Sequence, residues 1–346
     1  MMNNNILLPP EWYPQSAVQL TWPHNNTDWN YMIEDVIACY ANIASEILKR
    51  QKLIVVCHNP EAVKYELSKS KEFFSNLILV ELPSNDTWAR DHGGISILKG
   101  GKKYVCDFTF NGWGMKFASN FDNQITRGMY ANKAFQSDVA IINKKDFVLE
   151  GGALESDGKG TLLTTSECLL SPNRNSYLPK EQIEDYLKNT FGLNRILWLD
   201  HGFLAGDDTD SHIDTLARFC DEKTIAYVKC DDRDDEHYDA LNRMEEQLKT
   251  FTDYEGKPYK LMPLPMAKAV YDEDNERLPA TYANFLIMNE IVLVPFYKDK
   301  AGDEEAQIQL QKAFPTRKVV GVDCTPLIRQ HGSLHCITMQ YPADFV

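Results

Sequence analysis

The chain of 346 residues lacks both the long apolar runs of membrane proteins and the paired cysteines of disulfide-rich or zinc-binding domains. No uninterrupted apolar stretch approaches about 18 residues, so we expect no membrane span. Its eight cysteines are scattered without a CxxC pair, which in a chain of this size favours reduced core residues. No N-terminal segment joins a basic start to an apolar core and a small-residue cleavage site, and we therefore expect a cytoplasmic protein.

Basic residues are in deficit, because 36 Lys and Arg face 50 Asp and Glu and give a formal net charge of −14. This deficit argues against a nucleic-acid-binding surface, which would need basic patches to bind phosphates. It is compatible with a small cationic ligand, although solubility alone would also account for it. A homo-oligomer is equally compatible with this composition.

No linker rich in Gly, Ser or Pro divides the chain, so we expect a single domain over residues 1–346. Short β-rich runs alternate with stretches of helical periodicity, which predicts an α/β protein built from repeated strand-strand-helix-strand units. The predicted helices span residues 29–52, 60–68, 179–191, 234–252 and 303–313. The predicted strands span residues 53–57, 77–82, 95–98, 104–110, 139–142, 161–165, 195–199, 224–229, 285–288, 291–296 and 318–322.

One acidic motif surrounds a histidine in the middle of the chain. If the backbone is extended there, alternate side chains share a face, and that face holds Asp208, Asp210, His212 and Asp214. Three carboxylates around one imidazole need a balancing cation, either a divalent metal or an organic guanidinium. A solvated acidic loop is the remaining alternative, and the apolar stretch at residues 213–219 argues against it.

The metal interpretation predicts a second ligand cluster, because the binuclear ureohydrolase site that this motif partly resembles has two. Residues 231–235 are the only rich candidate, and Arg233 interrupts them. They also fail as a calcium loop, since Glu236 occupies the position that needs a glycine. We therefore expect no metal and no cofactor, with a metal-dependent ureohydrolase kept as a rival function.

Cys336 differs from the other seven cysteines in its surroundings. A buried cysteine in a strand is usually an inert small hydrophobe, but Cys336 follows Gly332 and precedes a polar strand at residues 338–340. A thiolate nucleophile needs a histidine partner that is usually distant in sequence. His335 would point to the opposite face of an extended segment, so His212 is the expected acid/base.

Trp88 and Asp91 lie three residues apart and suit a guanidinium. A carboxylate binds this group through two parallel hydrogen bonds, and an aromatic face covers a cation or its alkyl stem. The structural alternative is a core tryptophan beside an Arg90–Asp91 ion pair. For Trp88 both interpretations stay open, whereas for Asp91 we favour the functional one.

Taken together, the motifs extend over nearly the whole chain, at residues 8–14, 20–23, 85–91, 149–152, 161–175, 206–214 and 335–340. This set resembles the agmatine deiminase family, the bacterial and plant branch of the guanidino-group-modifying enzymes, which also holds the Porphyromonas-type peptidylarginine deiminases. Residues 330–334 depart from the family's usual glycine run followed by Asn-Ile, which concerns the non-reacting end of the substrate.

The resemblance implies a five-bladed α/β propeller, or pentein, of ββαβ modules around a central active site. By position it implies a Cys336 nucleophile, a His212 acid/base, and two guanidinium-binding carboxylates, Asp91 and Asp214. Glu150 falls on a motif glutamate near the pocket, and Asp208 falls where the family can hold the far amine of the substrate.

The implied reaction converts agmatine and water to N-carbamoylputrescine and ammonia through a covalent amidino-cysteine intermediate. Hydrolysis of arginine, free or in peptides, is the alternative within the same fold. A non-catalytic guanidine- or polyamine-binding protein is a third option besides the ureohydrolase.

Overall fold

Five sheets of three or four strands, with one two-stranded hairpin, form in residues 5–68 and 74–346, the part of the chain that the computed structural model describes. Two sheets have four strands each. In hydrogen-bonded order, one contains Ile6–Leu7, Ile95–Lys99, Lys102–Thr109 and Val139–Val148. The other contains Thr338–Pro342, Gln15–Thr21, Lys52–Cys57 and Leu77–Glu81. The three-stranded sheets contain Arg195–Leu199, Thr161–Thr165 and Glu155–Ser156; Ala217–Asp221, Thr224–Lys229 and Lys260–Pro265; and Leu286–Ile287, Ile291–Phe296 and Lys318–Asp323. The hairpin pairs Val270–Tyr271 with Arg277–Leu278.

The same local arrangement recurs in these five sheets: an antiparallel strand pair is extended by a parallel strand. Parallel neighbours need a crossover of about a dozen or more residues, which is usually helical. In chain order the crossover helices are Ile33–Leu48, Asp122–Ala131, Lys180–Phe191, Tyr238–Leu248 and Lys300–Ala313. The mixed α/β class predicted from the sequence is therefore confirmed.

The two ends of the chain meet in one sheet. Thr338–Pro342 runs antiparallel to Gln15–Thr21, with Thr338 opposite Leu20. This pairing carries the segment before the last strand, which includes Cys336, to the first third of the chain.

Several boundaries differ from the predictions. The first long helix begins as a 3₁₀ segment, Asp28–Met32, and ends at Leu48, and the helix predicted over 234–252 is shortened to Tyr238–Leu248. The sequence did not predict the helix Asp122–Ala131 or the strands Gln15–Thr21, Ala217–Asp221 and Lys260–Pro265. The shorter helices are Pro60–Ser68, Ala89–His92, Gly112–Met115, Ser166–Leu169 and Thr325–Ile328, and further 3₁₀ turns span Phe74–Asn76, Gly151–Ala153 and Ile213–Thr215.

Apolar spacing explains why these elements pack as they do. The helix Ile33–Leu48 buries Val36, Tyr40, Ile43 and Ile47, which recur every three or four residues and form one face. The strand Lys52–Cys57 is instead buried at consecutive positions, as expected for a strand covered on both sides. Among the residues described, no helix is both long enough and apolar enough to cross a bilayer.

Candidate active site

The thiol of Cys336 lies in a turn, not in the strand that the sequence suggested. The backbone N–H of Thr338 donates to the carbonyl of His335 at 3.0 Å and closes this turn just before the last strand. The backbone N–H of Arg90 donates to the Cys336 carbonyl at 3.0 Å, and the thiol donates to Asn284 Oδ1 at 3.4 Å. Cys336 is therefore held by two distant segments, and the sequence analysis missed Asn284.

Asp91 lies in the one-turn helix Ala89–His92 and is buried. Its Oδ2 accepts from the indole N–H of Trp113 at 3.0 Å, and its Oδ1 accepts from the backbone N–H of Gly152 at 3.1 Å. Oδ1 also lies 3.5 Å from His212 Nδ1. A Cβ on Gly152 would lie 2.4 Å from that same nitrogen, so only glycine allows this close approach.

Trp113 reaches Asp91 from an unusual backbone turn that the sequence analysis missed. Four consecutive residues, 112 to 115, have φ between +53° and +87°, which makes a left-handed turn. Such a conformation costs about 1–2 kcal/mol for each residue other than glycine, here Trp113 and Met115. The alternating glycines at 112 and 114 were the available signal, since glycine adopts positive φ without this cost.

The acidic motif is not extended, contrary to the expectation that four of its side chains share a face. Asp210 and Ser211 have φ of +64° and +61°, which turns the chain. Asp210 pairs with Arg174 at 2.5 Å and with Lys116 at 2.8 Å and lines a different cavity from the one that contains the thiol. Asp208, His212 and Asp214 stay on the side of the thiol, and Asp210 leaves the predicted set.

His212 is fully buried, and neither ring nitrogen has a hydrogen-bond partner among the residues described. Burial alone would lower the pKa of His212, but the carboxylate of Asp91, together with Cys168 and Glu150, outweighs burial and raises that pKa well above its ordinary value. This shift favours the protonated form of His212, whose Nδ1 lies 3.5 Å from Asp91 Oδ1.

Glu150 and Asp214 lie beside His212 and have no exposed surface. Glu150 accepts from Arg174 Nε through both oxygens, at 2.9 Å and 3.0 Å, so Arg174 ties it to the acidic motif. Asp214 Oδ2 accepts from His335 Nδ1 at 2.7 Å, whereas Asp214 Oδ1 has no partner in residues 5–68 and 74–346.

A cavity of about 270 Å³ opens onto the thiol. Four of the predicted site residues line it: Trp88, Asp91, Asp208 and Cys336. The other three (Glu150, His212 and Asp214) are buried and are not among its lining residues. The cavity also exposes three carboxylates that the sequence analysis did not assign, Asp28, Asp86 and Asp207.

Charge in the cavity opposes ionisation of the thiol and of its neighbours. Burial and the carboxylates of Asp214 and Asp91 raise the pKa of Cys336 well above its ordinary value. Burial raises the pKa of Asp91 to about 6, although His212 opposes this shift. Burial and Asp207 likewise raise the pKa of Asp208 to about 6. A cation placed among these groups would relieve all three shifts.

Two groups of side chains in the described chain have the composition of metal ligands: Glu150 with Cys168 and His212, and Glu11 with Glu155 and His335. In each group an arginine already pairs with the carboxylates, Arg174 in the first and Arg218 in the second. A metal ion would have to displace these guanidinium groups.

Comparison with known proteins places the chain in a family. Residues 7–342 match the model of the Porphyromonas-type peptidyl-arginine deiminases. A Porphyromonas gingivalis structure, described provisionally as an arginine deiminase, is 56% identical with a TM-score of 0.94, and 99% of each chain is covered. A serine-for-cysteine variant of the C. jejuni agmatine deiminase with substrate bound is 41% identical with a TM-score of 0.90, covering 99% of this chain and 97% of that one.

Among curated sequences, a Vibrio parahaemolyticus protein described provisionally as an agmatine deiminase is 34% identical, covering 98% of each chain. These matches extend over the same motifs that carried the resemblance in the sequence, and that resemblance is confirmed. The chain belongs to the Porphyromonas-type peptidyl-arginine deiminase family.

Proposed function

We propose that this protein is an agmatine deiminase, a hydrolase that converts agmatine and water to N-carbamoylputrescine and ammonia. The observation that carries the proposal is a thiol at the wall of a cavity whose other charged wall groups are mostly carboxylates. Relatives named as agmatine deiminases match nearly the full length of the chain. A small substrate with a cation at each end fits a cavity of this charge.

In this proposal Asp91 and Asp214 bind the guanidinium, and Trp88 covers it. Asp214 Oδ1 is an acceptor without a partner among the described residues. Asp91 is fixed by Trp113 and Gly152 and offers its remaining lone pairs. A guanidinium held by two such carboxylates cannot drift from the sulfur, and this fixed geometry favours attack.

Substrate binding activates the nucleophile. The carboxylates that raise the pKa of Cys336 are neutralised when a guanidinium lies between them and the sulfur, so the thiol loses its proton to solvent as agmatine binds. The imidazolium of His212 adds a further positive charge beside the thiolate. The thiolate then forms where the electrophilic carbon already lies.

The reaction has two halves that share His212. Sulfur adds to the guanidinium carbon, His212 protonates one nitrogen, and the C–N bond breaks to release ammonia and leave an amidino-thioether on Cys336. Neutral His212 then takes a proton from water, whose oxygen adds to the same carbon. The C–S bond breaks, its electron pair returns to sulfur, the added hydroxyl group loses its proton to solvent, and the ureido product leaves.

The far ammonium of agmatine binds at the acidic end of the cavity, where Asp208 is the proposed acceptor. Burial and the neighbouring Asp207 raise the pKa of Asp208 to about 6, so it is an ionised but poorly compensated carboxylate at neutral pH. Asp28 and Asp86 lie on the same cavity wall and add to the negative potential.

We further infer that the five sheets are the blades of an α/β propeller and that residues 1–346 form one catalytic domain around a central site. Each sheet contains an antiparallel strand pair extended by a parallel strand, and Thr338–Pro342 joins the first sheet to the last segment. The assigned side chains follow the last strand of a different sheet each time: Asp91, Glu150, His212 with Asp214, Asn284 and Cys336. A single cooperative unfolding transition is the expected outcome for one such domain.

One assay tests the function against its rivals. The enzyme is incubated with agmatine, with free arginine and with an arginine peptide, each with and without chelator, while ammonia, urea and ureido product are measured. Agmatine should give ammonia and N-carbamoylputrescine in equal amounts regardless of chelator. Urea release that chelator abolishes would indicate a ureohydrolase, and faster turnover of arginine or of the peptide would overturn the substrate assignment. Binding of agmatine without turnover would indicate a binding protein.

A further inference from the structure

His335, next to the nucleophile in sequence, bridges two buried carboxylates on the far side of the reacting groups. Its Nδ1 lies 2.7 Å from Asp214 Oδ2 and its Nε2 lies 2.6 Å from Glu11 Oε2. The side chains of His335, Asp214 and Glu11 are 1%, 0% and 6% exposed, so water does not mediate these contacts.

The two contacts favour the ionised forms of both carboxylates. Burial would raise the pKa of Asp214, but the hydrogen bond and charge of His335 hold it below its ordinary value. Burial is likewise outweighed at Glu11, whose pKa is lowered by His335 and Arg218. Ionised carboxylates only accept hydrogen bonds, so each ring nitrogen of His335 is placed to donate to one of them.

Two buried arginines face the same carboxylates: Arg218, and Arg90, whose Nη2 lies 3.8 Å from Glu11 Oε2. Arg218 donates from Nη2 to Glu11 Oε2 at 2.7 Å and from Nε to Glu155 Oε1. We call Glu11, Glu155, Arg218 and His335 the support cluster. None of their buried side-chain nitrogen or oxygen atoms lacks a partner within the described chain, so the cluster is a rigid base for Asp214.

The same segment holds the nucleophile. Asn284 Oδ1 accepts from the backbone N–H of His335 at 2.8 Å and contacts the backbone nitrogen and thiol of Cys336 at 3.3 Å and 3.4 Å. Asn284 Nδ2 donates to the Asp214 carbonyl at 3.2 Å. His335 and Asn284 thus couple the position of the sulfur to that of the carboxylate.

We propose that His335 is a positioning residue: its contact with one oxygen of Asp214 leaves the other oxygen facing the guanidinium. The inference rests on the proposed function, because Asp214 is assigned to the guanidinium there. His335 does not touch the substrate and transfers no proton in this scheme. Its place in the structure explains why a histidine adjoins the nucleophile without serving as its base.

The variant His335→Gln tests this role. Glutamine can donate one hydrogen bond but brings no charge, so the pKa of Asp214 should rise and less of it should be ionised at a given pH. We expect kcat/KM for agmatine to fall about tenfold to a hundredfold at neutral pH, the effect of about 1.5–3 kcal/mol for a charged hydrogen bond. The acid limb of the kcat/KM profile should move to higher pH.

Glu155→Gln is the matched control, because Glu155 is buried in the same cluster but bonds to Arg218 and to the backbone N–H of Phe219, not to His335 or Asp214. It should lower the unfolding temperature and leave the acid limb at its wild-type position. If both variants lose activity in proportion to stability and neither moves the acid limb, His335 is structural and the inference is wrong.

A measurement on the wild-type enzyme decides the matter even if His335→Gln does not fold. In enzyme labelled with ¹⁵N-histidine, both ring nitrogens of His335, distinguished from those of His212 by comparison with His212→Asn, should be protonated at neutral pH, and that signal should change in Asp214→Asn. A neutral tautomer for this residue overturns the inference. Failure of the wild type to release ammonia from agmatine would instead overturn the proposed function, and the ring signal would still report on His335.

Discussion

The support cluster and the reacting groups are equally buried and both charged, yet they differ in how their hydrogen bonds are satisfied. In the support cluster, Arg218 pairs with the carboxylates of Glu11 and Glu155 and also donates to the carbonyls of Ala283 and Phe285. Among the reacting groups, both nitrogens of His212 and Oδ1 of Asp214 lack a partner in the chain as described. Asp214 lies between the two groups: its Oδ2 is hydrogen-bonded to His335 of the support cluster, and its Oδ1 has no partner among the described residues.

An unpartnered buried polar atom costs about 1–3 kcal/mol, so a folded chain keeps one only where something compensates for it. A guanidinium substrate supplies N–H donors for the free carboxylate oxygens and a leaving nitrogen for His212. The support cluster needs no ligand, because its charges already balance. The difference predicts that substitutions on the two sides of Asp214 have different consequences.

The largest effect is expected at the thiol. Cys336→Ala and Cys336→Ser should abolish turnover and leave folding largely intact, since the covalent intermediate cannot form without a thiolate. Mass spectrometry of an acid-quenched wild-type reaction should show an adduct on the peptide containing Cys336. The control Cys57→Ala removes another buried thiol, one whose pKa burial raises to about 12, and should keep activity. Normal turnover in Cys336→Ala would contradict the mechanism.

Asp91→Asn should lower activity and raise the free energy of unfolding. A charge of the support cluster, in contrast, should lower the free energy of unfolding when it is removed. Two charge-assisted bonds are lost, so kcat/KM should fall about a hundredfold or more. The pKa of Asp91 is about 6 in the folded protein against 3.8 for the free group. Ionising it therefore costs up to about 3 kcal/mol of folding free energy, since each pKa unit is about 1.4 kcal/mol.

The sign of this stability effect follows from the raised pKa. Wild-type stability is lost as pH rises from about 4 to about 6, and Asp91→Asn escapes that loss, so the variant should be more stable above pH 6. Urea unfolding across this range measures the difference. Asp235→Asn is the opposite control, because Arg277 and His237 outweigh burial and hold the pKa of Asp235 at about 2. If Asp91→Asn is less stable than the wild type at pH 7.5, the predicted difference between the reacting groups and the support cluster is wrong.

Arg218→Met should cost stability more than any single surface ion pair. It leaves Glu11 and Glu155 buried without their shared cation, and breaking such a pair costs about 3–5 kcal/mol. Urea unfolding at neutral pH measures the loss. The control Arg329→Met removes an exposed pair with Glu273 and should cost about 1 kcal/mol or less. Equal losses in the two variants would show that the support cluster does not stabilise the fold.

The regular elements were the part of the fold most accessible from sequence, because their signals are local. The strand Thr161–Thr165 has the predicted bounds, and the helix Lys180–Phe191 ends at Gly192 in the left-handed conformation, as a glycine there predicts. The family motifs also identified residues that lie near the thiol, because a motif match depends on residue type and position and does not require the tertiary structure.

The partners of those residues were not accessible, because they depend on tertiary contacts between distant segments. Glu11 and Arg218 are 207 positions apart, and no local pattern links them. The turn at Asp210 and Ser211 was missed for a related reason: its φ values are stabilised by contacts with Arg174 and Lys116, which lie in other loops. An alternating pattern alone suggested an extended strand there.

The smallest of the expected effects concerns Asp208, which that turn leaves at the cavity wall. If it binds the far ammonium of agmatine, Asp208→Asn should lower kcat/KM for agmatine about tenfold to a hundredfold, because a charge-assisted contact is worth about 1.5–3 kcal/mol. An alkylguanidine with an uncharged tail should lose far less. The pKa of Asp208 is about 6, so the preference of the wild type for agmatine over this analogue should shrink as pH falls below 6.

Asp28→Asn is the matched control for this prediction, because Asp28 lines the same cavity but is exposed. It should change the agmatine preference less than Asp208→Asn does. If Asp28→Asn has the larger effect, the ammonium lies toward Asp28 and Asp86. If Asp208→Asn weakens agmatine and the uncharged analogue equally, Asp208 acts on the guanidinium end or on the fold, and the two ends of the cavity are not distinguished by charge in the way that the structure suggests.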